Sequence, residues 1–139
     1  MDSERNANDL AIRNRPAALI LVVDDDSDSL AALQLLLSAL GFEVATARSA
    51  QEALTRIQRR LPDLIITDCE MPRMSGLEFC RLLRQRDQTR DIPIVLYTGR
   101  EIVQHGPKTY DRFVAKPADA DAILSTIRAL LQDSPAHSS

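Results

Sequence analysis

A chain of 139 residues, 45% hydrophobic and 27% charged, holds enough apolar material for one folded domain and does not have the composition of a disordered polymer. Its net charge of -3 and pI near 5.3, with Lys and Arg outnumbered by Asp and Glu and not gathered into one run, argue against a direct nucleic-acid binder. No apolar stretch approaches the roughly 18 to 20 residues needed to span a bilayer, and the start is polar rather than signal-like, so a cytoplasmic chain without membrane insertion is expected.

Residues 1–17 mix charges with Asn and show no sustained period. Too little apolar surface lies there to offset the entropy of ordering, and a flexible N-terminal arm is expected. Residues 134–139, rich in Ser with Pro and His, read as a flexible tail, which leaves residues 18–133 as the domain. Residues 18–23 form an apolar run, the first strand. Leu30, Leu33, Leu36, Leu37 and Leu40 then recur at helical spacing until Gly41 closes the helix. Residues 42–47 read as a second strand. Ser49 caps the next helix with Glu52 as its capping-box partner, and the helix runs to about Arg60, before Pro62. Residues 64–67 make a third strand, and residues 75–86 a helix carrying Leu77, Cys80, Leu82 and Leu83. Residues 92–97 and 112–115 supply the fourth and fifth strands. The last helix, over residues 119–131, carries Ile123, Leu124, Ile127, Leu130 and Leu131.

Unbroken Leu, Ile and Val runs, rather than alternating ones, indicate strands covered on both faces. The fold class is therefore α/β, a doubly wound five-stranded parallel sheet with helices on both faces. Such sheets bind ligands at the carboxyl ends of their strands. There the sequence places Asp24, Asp25 and Asp26 after strand one, Asp68 after strand three, Thr98 after strand four and Lys116 after strand five. Clustered carboxylates repel one another, so a hard divalent cation or a nearby Lys must compensate. Mg2+ suits two carboxylates, waters and a phosphoryl oxygen, and Mn2+ can substitute. Asp68 is the candidate nucleophile toward phosphorus, with the Thr98 hydroxyl and the Lys116 ammonium as contacts for phosphoryl oxygens.

Leu21-Val22-Val23-Asp24-Asp25-Asp26, then Asp68-Cys69-Glu70-Met71-Pro72 with Gly76 following, then Thr98, then Lys116-Pro117, together resemble the response-regulator receiver family over about residues 18–131. The resemblance implies a flavodoxin-like strand order 2-1-3-4-5 and a stand-alone receiver of a two-component phosphorelay, not an enzyme with a separate substrate. It implies Asp68 as phosphoacceptor, Asp25 as a direct Mg2+ ligand, Asp24 as an acidic partner acting through water, and Glu70 as donor of its backbone carbonyl to the metal. It further implies that Thr98 follows the phosphoryl group, that Lys116 pairs with it, that the peptide before Pro117 is cis, and that Phe113 is the switch aromatic. Taken alone, Phe113 reads as core. The implied partners are a histidine kinase or histidine phosphotransfer protein upstream and another protein downstream.

The chain departs from the family between Thr98 and Lys116, where it is short and carries Gly106-Pro107, so the fourth helix is expected to be short or irregular. Gly99 stands where the family commonly has Ala. Glu70 and Arg100 flank the site with opposite charge, and pairing across its mouth is expected to lengthen phosphoryl lifetime. Asp26 and Asp28 read as helix N-terminus residues. Cys80 reads as a helix-face residue and Cys69 as a neighbour of the site, both reduced; His105 and His137 carry no chemistry. Three rival readings exist. A haloacid-dehalogenase-like phosphohydrolase with Asp24 as nucleophile and Asp26 as acid/base leaves the stretch Asp68 to Pro72 unexplained. A calcium loop over Asp24, Asp26 and Asp28 fails at Ser29 and Leu35. A receiver that binds without being phosphorylated conflicts with the intact Asp, Thr and Lys set.

Overall fold

In the computed structural model, residues 17–101 and 108–133 are described. The most apolar runs become the middle of a sheet: β1 (Leu19–Val23), β3 (Leu64–Thr67) and β4 (Ile94–Thr98), flanked by β2 (Glu43–Ala47) and β5 (Arg112–Ala115). All pairings are parallel and the order is β2-β1-β3-β4-β5, as expected. The described helices are α1 (Ser27–Ala39), α2 (Ala50–Arg59), α3 (Gly76–Gln85) and α4 (Ala120–Asp133). No described helix is long and apolar enough to cross a membrane.

β1 shows why unbroken runs signal a doubly covered strand. Leu21 and Val23 enter a core with Ala53, Ile57, Phe79, Cys80 and Leu83 from α2 and α3. Ile20 and Val22, pointing the other way, enter a second core with Leu33, Leu37, Ile123 and Ile127 from α1 and α4. Each of these β1 side chains is at most 2% exposed, a burial that contributes roughly 1.5–3 kcal/mol per large aliphatic residue.

The helix ends follow local chemistry. Asp26 caps α1 by accepting from the Asp28 amide, and Gly41, at φ 97°, turns the chain out of its last turn. Ser49 caps α2 by accepting from the Glu52 amide, yet the Glu52 carboxylate accepts from Arg48 N at 3.3 Å instead of closing the expected box on Ser49. The reciprocal capping box forms at α3, between Ser75 and Glu78. β4 starts at Ile94 rather than Ile92, because Pro93 has no amide to donate and Ile94 N is taken by Asp111 Oδ2 at 2.7 Å. That carboxylate is one end of a hub. The Arg84 guanidinium donates to Asp111 Oδ2 (2.7 Å) and to the carbonyls of Thr109 (2.8 Å), Arg90 (2.9 Å) and Ile92 (2.7 Å), tying the end of α3 to the entrances of β4 and β5. The expected arm (residues 1–17) apart from Ala17, the tail (residues 134–139), Gly106-Pro107 with most of the expected fourth helix, His105 and His137 lie outside the described residues.

Candidate functional site

Parallel register brings four strand ends to one edge. Val23 pairs with Thr67, Thr67 with Leu96, and Thr98 with Ala115, so Asp24, Asp68, Thr98 and Lys116 emerge side by side. The ladder continues one step past the strands, with Asp68 N donating to Val23 O at 2.9 Å and Lys116 N to Thr98 O at 2.9 Å. The carboxylates of Asp24, Asp25 and Asp68 offer oxygen atoms that all lie within 4.8 Å of one another. Three hard oxygen donors at that spacing fit a small divalent cation.

Lys116 reaches into this acidic corner. Its Nζ lies 2.6 Å from Asp24 Oδ2 and 3.7 Å from Asp68 Oδ2. Burial pushes the Asp24 carboxyl above its ordinary value, while the hydrogen bond from Lys116 pulls the other way. Burial also works against the charge of Lys116, but the bond to Asp24 and the charges of Asp24 and Asp68 outweigh it, and the ammonium is held protonated above its usual range. One fixed cation thus offsets part of the negative charge before any metal arrives.

The loop after β3 is built onto α3. Gly76 N donates to Cys69 O at 2.7 Å, and a Cβ at Gly76 would collide with the Asp68 carbonyl oxygen and Cys69 Cα. Only glycine permits this approach. Cys69 N donates to Asp68 Oδ1 at 2.7 Å and fixes the carboxylate's orientation. At the mouth, Arg100 Nε lies 3.0 Å from Glu70 Oε2, the pairing expected from their charges. Among the described residues, a Cβ at Gly99 would meet only Lys116 Cβ, at 3.8 Å.

The other sequence candidates sort by role. Thr98 is buried at the end of β4, its Oγ1 accepting from Arg100 N at 3.4 Å. The Lys116-Pro117 peptide is cis. Asp26 does serve α1, its carboxylate held below the ordinary range by the hydrogen bond from Ser29. Asp28 is exposed in the first turn of α1. Phe113, read alone as core, is instead 43% exposed. It lies on an edge strand and borders an open cleft of about 520 Å³ with Thr98, Arg100, Glu101 and Tyr110. Cys80 is buried, its thiol pushed up to about 12 by burial, and Cys69 is half-buried with its thiol also raised, chiefly by burial. Sequence reasoning passed over Tyr97, taken only as the last residue of a strand. Its ring lies beneath Lys116 Nζ, 5.3 Å from the centroid, and its hydroxyl accepts from Ala118 N at 3.3 Å. The available signal was alternation: Tyr97 pairs with Val114, and Lys116, two residues on, falls on the same face.

The sequence profile of the response regulator receiver domain matches residues 20–128. The chain belongs to the response regulator receiver family. This receiver domain is 39% identical over 117 residues to the phosphate regulon transcriptional regulatory protein PhoB of Rhizobium meliloti (strain 1021), a match covering 81% of the chain and 52% of PhoB. The chain thus spans about half the length of that relative. Among solved structures it is similar to the signal receiver domain of a signal transduction histidine kinase from Syntrophus aciditrophicus, with TM-score 0.73, 30% identity and coverage of 84% and 91% of the two chains. The receiver domain of the sensor histidine kinase PA1611 from Pseudomonas aeruginosa PAO1, with a magnesium ion coordinated in its active-site cleft, shares the fold at TM-score 0.77 and 22% identity, covering 84% of this chain and 99% of that one. The fold is the receiver fold of two-component systems.

Proposed function

We propose that this receiver domain takes a phosphoryl group onto Asp68 from the phosphohistidine of a histidine kinase or phosphotransfer protein, with Mg2+ as cofactor, and passes the signal on by altered protein contacts. The observation that carries this reading is the convergence of Asp24, Asp25 and Asp68 with a Lys116 ammonium 3.7 Å from the acceptor carboxylate. An Asp68 carboxylate oxygen attacks phosphorus, the N–P bond breaks, and the donor imidazole departs. Mg2+, held by Asp24, Asp25, Asp68 and the Glu70 backbone carbonyl, would shield the repulsion between the carboxylate and the incoming phosphoryl oxygens. Lys116 meets one of those oxygens, and the Thr98 hydroxyl turns to another.

The acyl phosphate adds roughly -1.5 to -2 charge at pH 7. Movement of Thr98 frees the space beside it, and Phe113, already at the edge of the cleft that Thr98 borders, repacks. A pre-existing equilibrium of the β4 and β5 ends is thereby shifted. The chain acts as a phosphoacceptor that assists its own modification rather than as an enzyme with a separate substrate, and its setting is cytoplasmic.

Intact mass after incubation with acetyl phosphate, with and without Mg2+, tests this on wild type and Asp68→Asn. A Mg2+-dependent gain of one phosphoryl group that vanishes in the variant supports the reading. A gain that survives Asp68→Asn and disappears in Asp24→Asn moves the chemistry to Asp24, and no gain even from a cognate phosphohistidine donor leaves a binding-only receiver.

A further inference from the structure

The acidic corner explains only one side of Lys116. Lys116 also lines a cavity of about 270 Å³ with Asp24, Leu36, Tyr97, Pro117 and Ala118 among others. A four-carbon stem beside such a space has rotamers that carry the charge away from Asp68. The boundary on that side is Tyr97, whose ring face lies 5.3 Å from Nζ and whose hydroxyl accepts from Ala118 N, so one side chain contacts the lysine charge and pins the backbone two residues beyond it. Leu or Val would fill the same half-buried position against α1 and α4, but neither offers a negative ring face nor an acceptor for Ala118.

We infer that Tyr97 is a positioning residue for Lys116: its ring holds the ammonium at the acidic edge, so that the charge is in place when a phosphoryl group arrives, while its hydroxyl separately holds the Ala118 amide of the following turn. The kinetic half of this inference rests on Asp68 being the phosphoacceptor, whereas the positioning itself is readable in the unmodified protein. Pre-orientation of a fixed cation toward developing charge raises the rate of transfer more than the affinity for the donor.

The sequence allows a clean test, because Lys108 and Lys116 are its only lysines. Lysine-selective 13C labelling of the full chain gives two Cε/Hε signals, assigned by the loss of one in Lys108→Arg. In Tyr97→Leu the Lys116 Hε signal should lose its ring-current shift and move toward the value of a free lysine side chain, while Lys108, which lies 5.1 Å over Tyr110, stays in place. Tyr97→Phe should keep the Lys116 shift and speed hydrogen exchange at the Ala118 amide. With acetyl phosphate and Mg2+, Tyr97→Leu should lower the maximal phosphorylation rate by roughly three- to tenfold with the half-saturating donor concentration within twofold of wild type, and Tyr97→Phe should stay within twofold in both. If Tyr97→Leu does not fold, Tyr97→Met replaces it.

An unmoved Lys116 signal in the non-aromatic variant overturns the inference whether or not Asp68 is phosphorylated. A lost shift with an unchanged maximal rate overturns the kinetic half, as does equal slowing by Phe and Leu. A wild type that gains no phosphoryl group counts against the proposed function alone, since the lysine signals still decide whether the Tyr97 ring lies over the Lys116 ammonium.

Discussion

Arg84 makes the most concentrated set of tertiary hydrogen bonds described in the fold, and its removal gives a worked estimate. Arg84→Ala deletes donors to the carbonyls of Thr109, Arg90 and Ile92 and to the Asp111 carboxylate. The Thr109 and Ile92 bonds are part-buried, so water replaces them poorly; each counts for about 1 kcal/mol net, and the exposed Arg90 bond for less. The ion pair is screened, because the Asp111 side chain is 40% exposed, and adds at most about 1 kcal/mol. The sum is about 3 kcal/mol, or a fall in Tm of roughly 10 °C for a domain of this size. Arg84→Lys restores the charge but not the planar fork, and should recover less than half of the loss. Urea unfolding followed by circular dichroism reads both. A loss below about 1 kcal/mol in Arg84→Ala, or full recovery by Lys, would refute the claim that several directed donors tie α3 to the entrances of β4 and β5.

Further expectations concern the site and the thiols. Gly76→Ala should cost at least about 2 kcal/mol and slow phosphorylation, since its methyl meets the Asp68 carbonyl; wild-type thermal stability together with wild-type labelling would show that the loop can give way. Arg100→Ala should shorten the phosphoryl lifetime by freeing Glu70 from the pair that spans the mouth, and an identical decay rate by mass would count against that role. Cys80 should resist thiol reagents at pH 8 until the chain unfolds, because burial pushes its thiol up to about 12. The unfolded thiol ionises near pH 8.5 while the folded one stays protonated, so its contribution to stability is full below about pH 8.5 and declines as pH rises toward 12. The stability gap between wild type and Cys80→Ala should therefore narrow between pH 7.5 and 9.5, and a constant gap would contradict the shift.

How much was legible depended on whether a residue's role is local. β1, β3 and β4 could be read because strands covered on both faces must be apolar throughout, and their order followed once the family was recognised. Asp24, Asp68, Thr98 and Lys116 could be read because each occupies the first position past a strand, or the last within it, where parallel register collects them. Most pair choices could not, although Glu70 with Arg100 was legible from opposite charges flanking the site. Nothing near Glu52 indicates that its carboxylate turns to Arg48 rather than Ser49, and nothing near Arg84 or Asp111 announces a partner more than twenty residues away. Phe113 misled for the same reason: composition says an aromatic wants burial, but an edge strand has a neighbour on one side only, and its place beside Arg100 and Tyr110 is a tertiary fact.

The sheet also works as a partition. Alternate residues of β1 enter cores that lie on opposite sides of a hydrogen-bonded wall and, among the described residues, share no helix. A change in volume at Leu37 or Ile127 has no direct contact through which to disturb Phe79 or Leu83, so repacking on one side can proceed while the other holds the register that assembles the strand ends. One sequence thereby carries two interiors open to independent variation, joined only by the strands that both of them grip.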